Sequence, residues 1–388
     1  MNTSKKKIAW FDTHPIQYNT PAYEAINKNQ KISQTVYYMS DFSIRKYFDE
    51  QFDTHLKWDI PLLKGYKSKF LKNYSLLNHG SFFSYINISI FYEIIKNKYD
   101  LVITHGWSTI SHFFVFISCK ISGTPYSVRG DSNIYMINPK NIIQSTIRKI
   151  IFRNADVIFF IGEQNKKFYL SHGVEEKKLI RMPLCINNSF FRKIGLTIDI
   201  YEEKKLLGIK DEKVLLISSK LIEKKSVDTL ILALKDISKS YFLLVVGSGK
   251  LEKKLKTLSE QLNVKSKFLG FVNQTKIPTY YWLADIFIMT SEREPWGLST
   301  NEAMNCNCAI ILSDKVGAKD DLIKNNGFTF KAGDVNELRS KIEILLGNEE
   351  KLKSFKKNSK KIIENFDYES NVLALQKYFN LKGKSIAK

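Results

Sequence analysis

Short, nearly uninterrupted apolar runs alternate along this chain with longer segments whose apolar positions recur at helical spacing. A brief apolar run bounded by polar turns suits a strand buried on both faces, and the segments between suit the helices that cover it. In the first half the runs are residues 8–11, 35–38, 101–104, 126–128 and 157–161. Around residues 187–203 the pattern breaks into a polar stretch without clear periodicity. It restarts at 214–217, 242–246, 267–269, 286–289 and 309–312. Two consecutive strand sets predict an α/β chain of two doubly wound lobes, each offering ligand sites at the carboxyl ends of its strands. A ligand gripped by two facing lobes would sit in the cleft between them. The expected division is 1–190 and 191–367, and residues 368–388 form a helix, with Val372, Leu375 and Phe379 in register, that crosses back to the first lobe. A length of 388 residues agrees with two domains.

The most apolar stretches, 82–95 and 110–121, are interrupted by Asn87, Glu93, His112 and Lys120. Neither reaches the roughly 20 uninterrupted residues of a membrane span, and both read as amphipathic core helices, the first with aromatics suited to a membrane surface. The N-terminus starts basic but lacks a sustained apolar core, so no secretory signal is expected. Residues 58–66, from Trp58 to Tyr66, read as an ordered insertion in the first lobe.

An apolar fraction of 44% and a charged fraction of 26% are those of an ordinary globular protein. The formal net charge of +21 is not ordinary. It favours anionic partners such as nucleotides, phosphorylated lipids, anionic membrane or nucleic acid. A codon-biased genome rich in Lys, Asn, Ile, Tyr and Phe would give the same excess, and both readings stay open. Cys119, Cys185, Cys306 and Cys308 are too scattered for a disulfide framework and fit a reduced cytoplasm. Cys306 and Cys308 lack zinc-type spacing and read as small apolar residues where helix meets strand.

Candidate chemistry concentrates in residues 291–302, Ser-Glu-Arg-Glu-Pro-Trp-Gly-Leu-Ser-Thr-Asn-Glu. Glu294 and Glu302 lie on either side of a Pro-Trp-Gly turn. A helix beginning near Gly297 or Leu298 would present open amides to a phosphate, with one carboxylate before it and one inside its first turns. That suits a sugar nucleotide, whose hydroxyls flank its diphosphate. Ser299 and Glu302 also spell a capping box, a purely structural alternative for Glu302.

An ordered series surrounds this segment: Ser218-Ser-Lys220-Leu-Ile-Glu-Lys-Lys225-Ser-Val-Asp228, Val245-Val-Gly247-Ser-Gly249, Phe268-Leu-Gly270-Phe-Val272, Tyr280-Tyr-Trp-Leu-Ala-Asp285 and Glu294-x7-Glu302. From about Val214 to Leu346 the chain resembles the family-4 retaining glycosyltransferases of GT-B fold, and the first half does so more loosely through residues 100–105 and 156–173. The resemblance implies two Rossmann-like lobes, an N-terminal one that binds acceptor and a C-terminal one that binds nucleotide sugar. It implies transfer, with retention, from a nucleotide-diphosphate sugar to a hydroxyl of a growing surface glycan or lipid-linked oligosaccharide. No metal or other cofactor is expected. Lys220 and Lys225, with the amides of Gly297, Leu298 and Ser299, would hold the diphosphate. Glu294, with Pro295, Trp296 and Gly297, would hold the donor sugar, a loop carboxylate paired with Arg293 or a lysine being its structural alternative; Glu302 would hold the ribose, and the region of Phe271 the base. Glu294, His105 and Lys225 are the implied catalytic set.

At the exits of first-lobe strands, His14, Gln17 and Arg129 are the candidates for acceptor contact; for Arg129, a loop-stabilising pair with Asp131 is the alternative. Three departures stand out. Lys220 occupies a position where the family usually has Arg, which keeps the charge but loses the bidentate fork. Ser226 replaces a usual Gly, and the first lobe's Gly-rich loop gives way to Asp12-Thr-His-Pro-Ile-Gln-Tyr18. Expected partners are a nucleotide sugar, a glycan or lipid-linked acceptor and peripheral contact with anionic membrane, at the inner face of the cell membrane. A GT-B epimerase or phosphorylase is the alternative activity. Nucleic-acid binding would explain the charge but leave the Glu-x7-Glu series without purpose.

Overall fold

The computed structural model describes residues 5–77, 80–137 and 142–386 of the chain. In chain order the first strands are β1 (Lys6–Asp12), β2 (Ile32–Tyr38), β3 (Tyr47–Asp49), β4 (Thr54–Leu56) and β5 (Ser68–Phe70). Next come β6 (Leu101–His105), β7 (Tyr126–Arg129), β8 (Val157–Phe160) and β9 (Leu179–Arg181). The remaining strands are β10 (Lys213–Ser218), β11 (Tyr241–Val246), β12 (Ser266–Phe268), β13 (Ile286–Met289), β14 (Ala309–Ser313) and β15 (Gly327–Phe330). The helices begin with α1 (Thr20–Lys28), α2 (Ile90–Asn97), α3 (Ile110–Ser122), α4 (Ile142–Arg153) and α5 (Glu163–Ser171). They continue with α6 (Asn188–Gly195), α7 (Ile200–Leu206), α8 (Val227–Leu234), α9 (Glu252–Gln261) and α10 (Ile277–Leu283). The last are α11 (Leu298–Asn305), α12 (Lys319–Leu322), α13 (Val335–Gly347), α14 (Glu349–Ile363) and α15 (Tyr368–Ile386).

The chain forms two units. Unit 1 comprises Met1–Arg45, Pro61–Leu184 and Tyr368–Lys388. Its sheet runs β5-β2-β1-β6-β7-β8-β9, parallel throughout. Strand β1 alternates between two cores. Ala9 and Phe11 face a cluster containing Ile90 and Ile94 of α2 and Val115 and Phe116 of α3. Ile8 and Trp10 face a second cluster containing Tyr23 and Ile26 of α1 and Val372, Leu375 and Tyr378 of α15. Burial on both faces is why the strand reads as a continuous apolar run. The terminal helix thus belongs to unit 1's core; residues 387–388 lie outside the described residues.

Unit 2 comprises Lys46–Ile60 and Cys185–Asp367. Its sheet runs β12-β11-β10-β13-β14-β15, also parallel. The order reverses between β10 and β13 here and between β1 and β6 in unit 1. Those are the switch points where an open α/β sheet leaves a crevice for ligands.

Several expectations need correction. Residues 187–203, a polar stretch without clear period in the sequence, hold α6 and most of α7, capped by Asn187 and Asp199 side chains that accept from Phe190 N and Glu202 N. Their polar residues are exposed faces and caps, which hid the period. The stretch 82–95 is only partly helical, because α2 starts at Ile90. Residues 58–60 do not belong to a first-lobe insertion, since residues 46–60, with the antiparallel β3–β4 pair, cluster with unit 2. The short strands β5, β9 and β15 carried no apolar run long enough to read.

Candidate active site

In unit 2, Lys220 leaves the end of β10, and a 3-10 turn, Glu223–Lys225, leads into α8. Ser226, between them, adopts φ +46° and ψ +48°. That left-handed conformation explains why the family favours Gly here, and Ser meets it with a hydrogen bond from its hydroxyl to Glu223 O at 3.2 Å. The loop after β13 is laced to this turn. Glu292 N donates to Lys224 O at 3.0 Å and Thr290 Oγ1 to Lys225 O at 2.8 Å. The lacing brings the Lys225 ammonium onto the Glu294 carboxylate, with side chains only 14% and 12% exposed. Glu294 is held in turn through its carbonyl, which accepts from Gly317 N at 3.0 Å.

Gly297 precedes α11 with φ +95°, and a Cβ there would meet Met289 Sδ at 3.0 Å. Only glycine makes that turn without strain. The helix begins at Leu298, so Ser299 lies inside it and is not the cap, which removes the capping-box reading of Glu302. Leu298 and Ser299 carry the first amides, which a helix leaves without internal acceptors.

Two of the expected donor-site residues are buried. Trp296 is 2% exposed, with Nε1 donating to Asn301 Oδ1 at 3.0 Å, so its indole is core and any ligand contact must come from its backbone. Glu302 is 1% exposed and accepts the Tyr281 hydroxyl at 2.6 Å, so a ribose would have to reach a buried carboxylate. Phe271 follows β12, and its ring lies 5.2 Å from Phe52 and 6.1 Å from Trp58, centroid to centroid. Close backbone approach builds this side: Gly247 N donates to Gly270 O at 2.8 Å, and a Cβ on Gly247 would stand 1.9 Å from Ser219 O.

Lys220 keeps company that the sequence did not signal. Its Nζ lies 3.3 and 3.4 Å from the two Asp49 carboxylate oxygens, 3.2 Å from Gln51 Oε1, and 4.6 Å from the Phe52 ring centre. Burial pushes the ammonium's pKa down, with Lys224 and Lys225 adding to the effect, while Asp49 works against it.

In unit 1, β1 and β6 end side by side at the switch point, with Phe11 paired to Thr104. That register sets Asp12 against His105 Nδ1. The Tyr23 hydroxyl donates to Asp12 Oδ2 at 2.7 Å. Burial opposes ionisation of Asp12, yet His105, Tyr23 and Asn19 together hold its pKa below the usual carboxylate value. Arg129 Nη1 lies 3.0 Å from His105 Nε2, and Nη2 donates to Pro183 O at 3.1 Å. A guanidinium has only donors, so Nε2 accepts and Nδ1 carries the proton toward Asp12. Of the implied catalytic set, His105 therefore has both ring nitrogens engaged, and its Nε2 can meet a substrate only after Arg129 moves away. Arg129 is itself buried. His14, whose Nδ1 is 3.0 Å from Thr13 Oγ1, and Gln17 are half-buried in the β1–α1 loop. Asp12 and Tyr23 were missed as partners of His105, although a chain order that places β6 beside β1 could have suggested Asp12.

Residues 199–362 match the family model of the glycosyl transferases group 1. An uncharacterized glycosyltransferase of Methanocaldococcus jannaschii is 31% identical over 244 residues, 60% of this chain and 60% of that protein. The chain spans 35% to 60% of the length of the three Methanocaldococcus relatives it matches. The N,N'-diacetylbacillosaminyl-diphospho-undecaprenol alpha-1,3-N-acetylgalactosaminyltransferase of Campylobacter jejuni is 26% identical over 314 residues, 76% of this chain and 80% of that one. The crystal structure of Anabaena HepE in complex with UDP matches at a TM-score of 0.74 and 18% identity, over 96% of this chain and 99% of that one. An identity that low speaks for the fold alone. Residues 199–362 thus form a glycosyl transferases group 1 domain inside unit 2, in a chain of GT-B fold.

Proposed function

We propose that this chain is a glycosyltransferase that moves a sugar from a nucleotide-diphosphate sugar to a hydroxyl of a glycan or lipid-linked acceptor. The observation that carries the reading is the meeting of Lys225 with Glu294 at the β10/β13 switch point, beside Lys220 and the first amides of α11. Transfer must stabilise a departing diphosphate while a cationic sugar develops. Lys220, Lys225 and the amides of Leu298 and Ser299 supply fixed positive charge for the first task. Glu294, released from Lys225 as the phosphates arrive, holds hydroxyls of the donor sugar. The two lysines take the place of a metal, so chelation with EDTA should leave turnover unchanged. Transfer retains the anomeric configuration by a same-face route in which the leaving diphosphate helps deprotonate the acceptor; a glycosylated side chain trapped in mass spectrometry would contradict it. The UDP bound by HepE and the undecaprenol-linked substrate named for the Campylobacter relative support this donor and acceptor class.

Unit 1 supports a membrane role for the acceptor. Leu77, Phe82, Phe83, Ile88, Tyr92 and Ile95 are exposed, and Lys72 and Lys96 each lie 4.9 Å from a tyrosine ring, of Tyr74 and Tyr92. Apolar side chains interleaved with lysines suit the headgroup region of an anionic bilayer. No helix among the described residues is long and apolar enough to cross a membrane. The test is incubation of the protein with labelled nucleotide sugars and an undecaprenyl-diphosphate saccharide in anionic or neutral liposomes. Elongated, lipid-bound product, favoured by anionic liposomes at low salt, is the expected result. Label released only as an epimer, or as sugar phosphate when phosphate is added, would replace this reading with an epimerase or a phosphorylase.

A further inference from the structure

The β3–β4 hairpin comes from the first half of the sequence but is built into unit 2, on the loops at the carboxyl ends of β10, β11 and β12. Three anchors fix it. Ser248 Oγ donates to Phe52 O at 2.7 Å, and Asn273 Nδ2 donates to Lys57 O at 2.7 Å. Asp59 accepts from the Thr275 amide at 3.2 Å and from its hydroxyl. Between the anchors, the hairpin lays Phe52 and Trp58 against Phe271 and its turn against Lys220. Of the two lysines assigned to the diphosphate, Lys225 is paired with a carboxylate that has a second duty to the sugar. Lys220 is paired with Asp49, which has none.

We propose that Asp49 is an internal stand-in for a donor phosphate, holding the Lys220 ammonium at the phosphate position until a nucleoside diphosphate displaces it. This rests on the donor-site reading above. The geometry favours a replaceable partner. The contacts at 3.3 and 3.4 Å are longer than a tight ammonium–carboxylate bond. The Asp49 Oδ1 atom is meanwhile committed to its own turn, accepting from Gln51 N and Phe52 N at 2.9 Å. A carboxylate already satisfied by two amides can surrender the lysine to a dianion without being left unpaired. Cation and carboxylate also neutralise each other, so a half-buried lysine is kept charged and aimed. The hairpin therefore sets donor affinity as well as walling the site.

Asp49→Asn keeps the oxygen that caps the turn and removes the charge. The experiment is calorimetric titration of the full chain with UDP, GDP and ADP for the wild type, Asp49→Asn, Lys220→Ala and the double variant. With this half-buried ion pair no longer to be broken, the best-bound diphosphate should bind Asp49→Asn on the order of threefold tighter, about 0.7 kcal/mol. The same substitution should be silent in the Lys220→Ala background, and uridine, guanosine or adenosine without phosphates should bind both proteins alike. Equal tightening in both backgrounds would mean a general charge effect and would overturn the proposal. Unchanged or weaker binding to Asp49→Asn, with Lys220→Ala still impaired, would overturn it and leave the donor site standing. If Lys220→Ala binds as the wild type does, the donor-site reading fails and takes the proposal with it.

Discussion

Buried histidines usually earn attention as catalysts, but His112 is a stability element. Its Nδ1 lies 2.7 Å from the Thr109 hydroxyl and its Nε2 3.0 Å from His105 O, so it supports the backbone at the end of β6. Burial pushes its pKa from the ordinary 6.5 to about 4, against the pull of that carbonyl. The unfolded chain therefore takes up a proton as pH falls below 6.5, while the folded chain does not until about 4. Stability contributed by neutral His112 is complete above that window and lost through it, up to about 3 kcal/mol. The protection factors of the β6 and α3 amides, taken against the intrinsic exchange rate at each pH, should fall from about pH 7 to about pH 4.5 in the wild type. In His112→Gln, which keeps a donor for His105 O, the pH dependence should flatten. Equal slopes would show that His112 does not titrate on unfolding. At this scale the sequence singled out Lys225 and Glu294 one by one, for different tasks, and only the fold sets them on each other. Asp49 with Lys220, and Asp12 with His105, stayed hidden because each pair is made only by the fold.

At the level of elements, the parallel strands were legible because burial on both faces leaves nothing polar in the run. The edge strands β5 and β9 were not, since Ser68–Phe70 and Leu179–Arg181 carry too few apolar residues to distinguish an edge strand from a loop. The hairpin's destination was hidden for another reason: nothing local tells residues 46–60 which unit they will join. The start of α11 was legible, because Gly297 before Leu298 marks a turn that needs a positive φ. Gly297→Ala should cost about 1–2 kcal/mol from the left-handed backbone, with the contact to Met289 added. By tilting the first amides of α11 it should also weaken nucleoside diphosphate binding. A variant with unchanged melting temperature and unchanged affinity would show that neither the turn nor the helix end matters.

Across the whole molecule, two parallel sheets each reverse at a switch point, and each reversal gathers charge: Asp12, His105 and Arg129 in one, Lys220, Lys225 and Glu294 in the other. The net charge of +21 supplies long-range attraction for any anion but does not distinguish a built site from a basic surface. Calorimetric titration with UDP, GDP and ADP, beside Lys225→Ala, makes that distinction. One diphosphate should bind far better than the others. Lys225→Ala should sharply weaken binding of that diphosphate and slow turnover on the order of a hundredfold, as expected for losing a charge contact worth a few kcal/mol. Weak, equal binding of all three, indifferent to the substitution, would mean that no donor site is built here, only a basic surface that attracts anions.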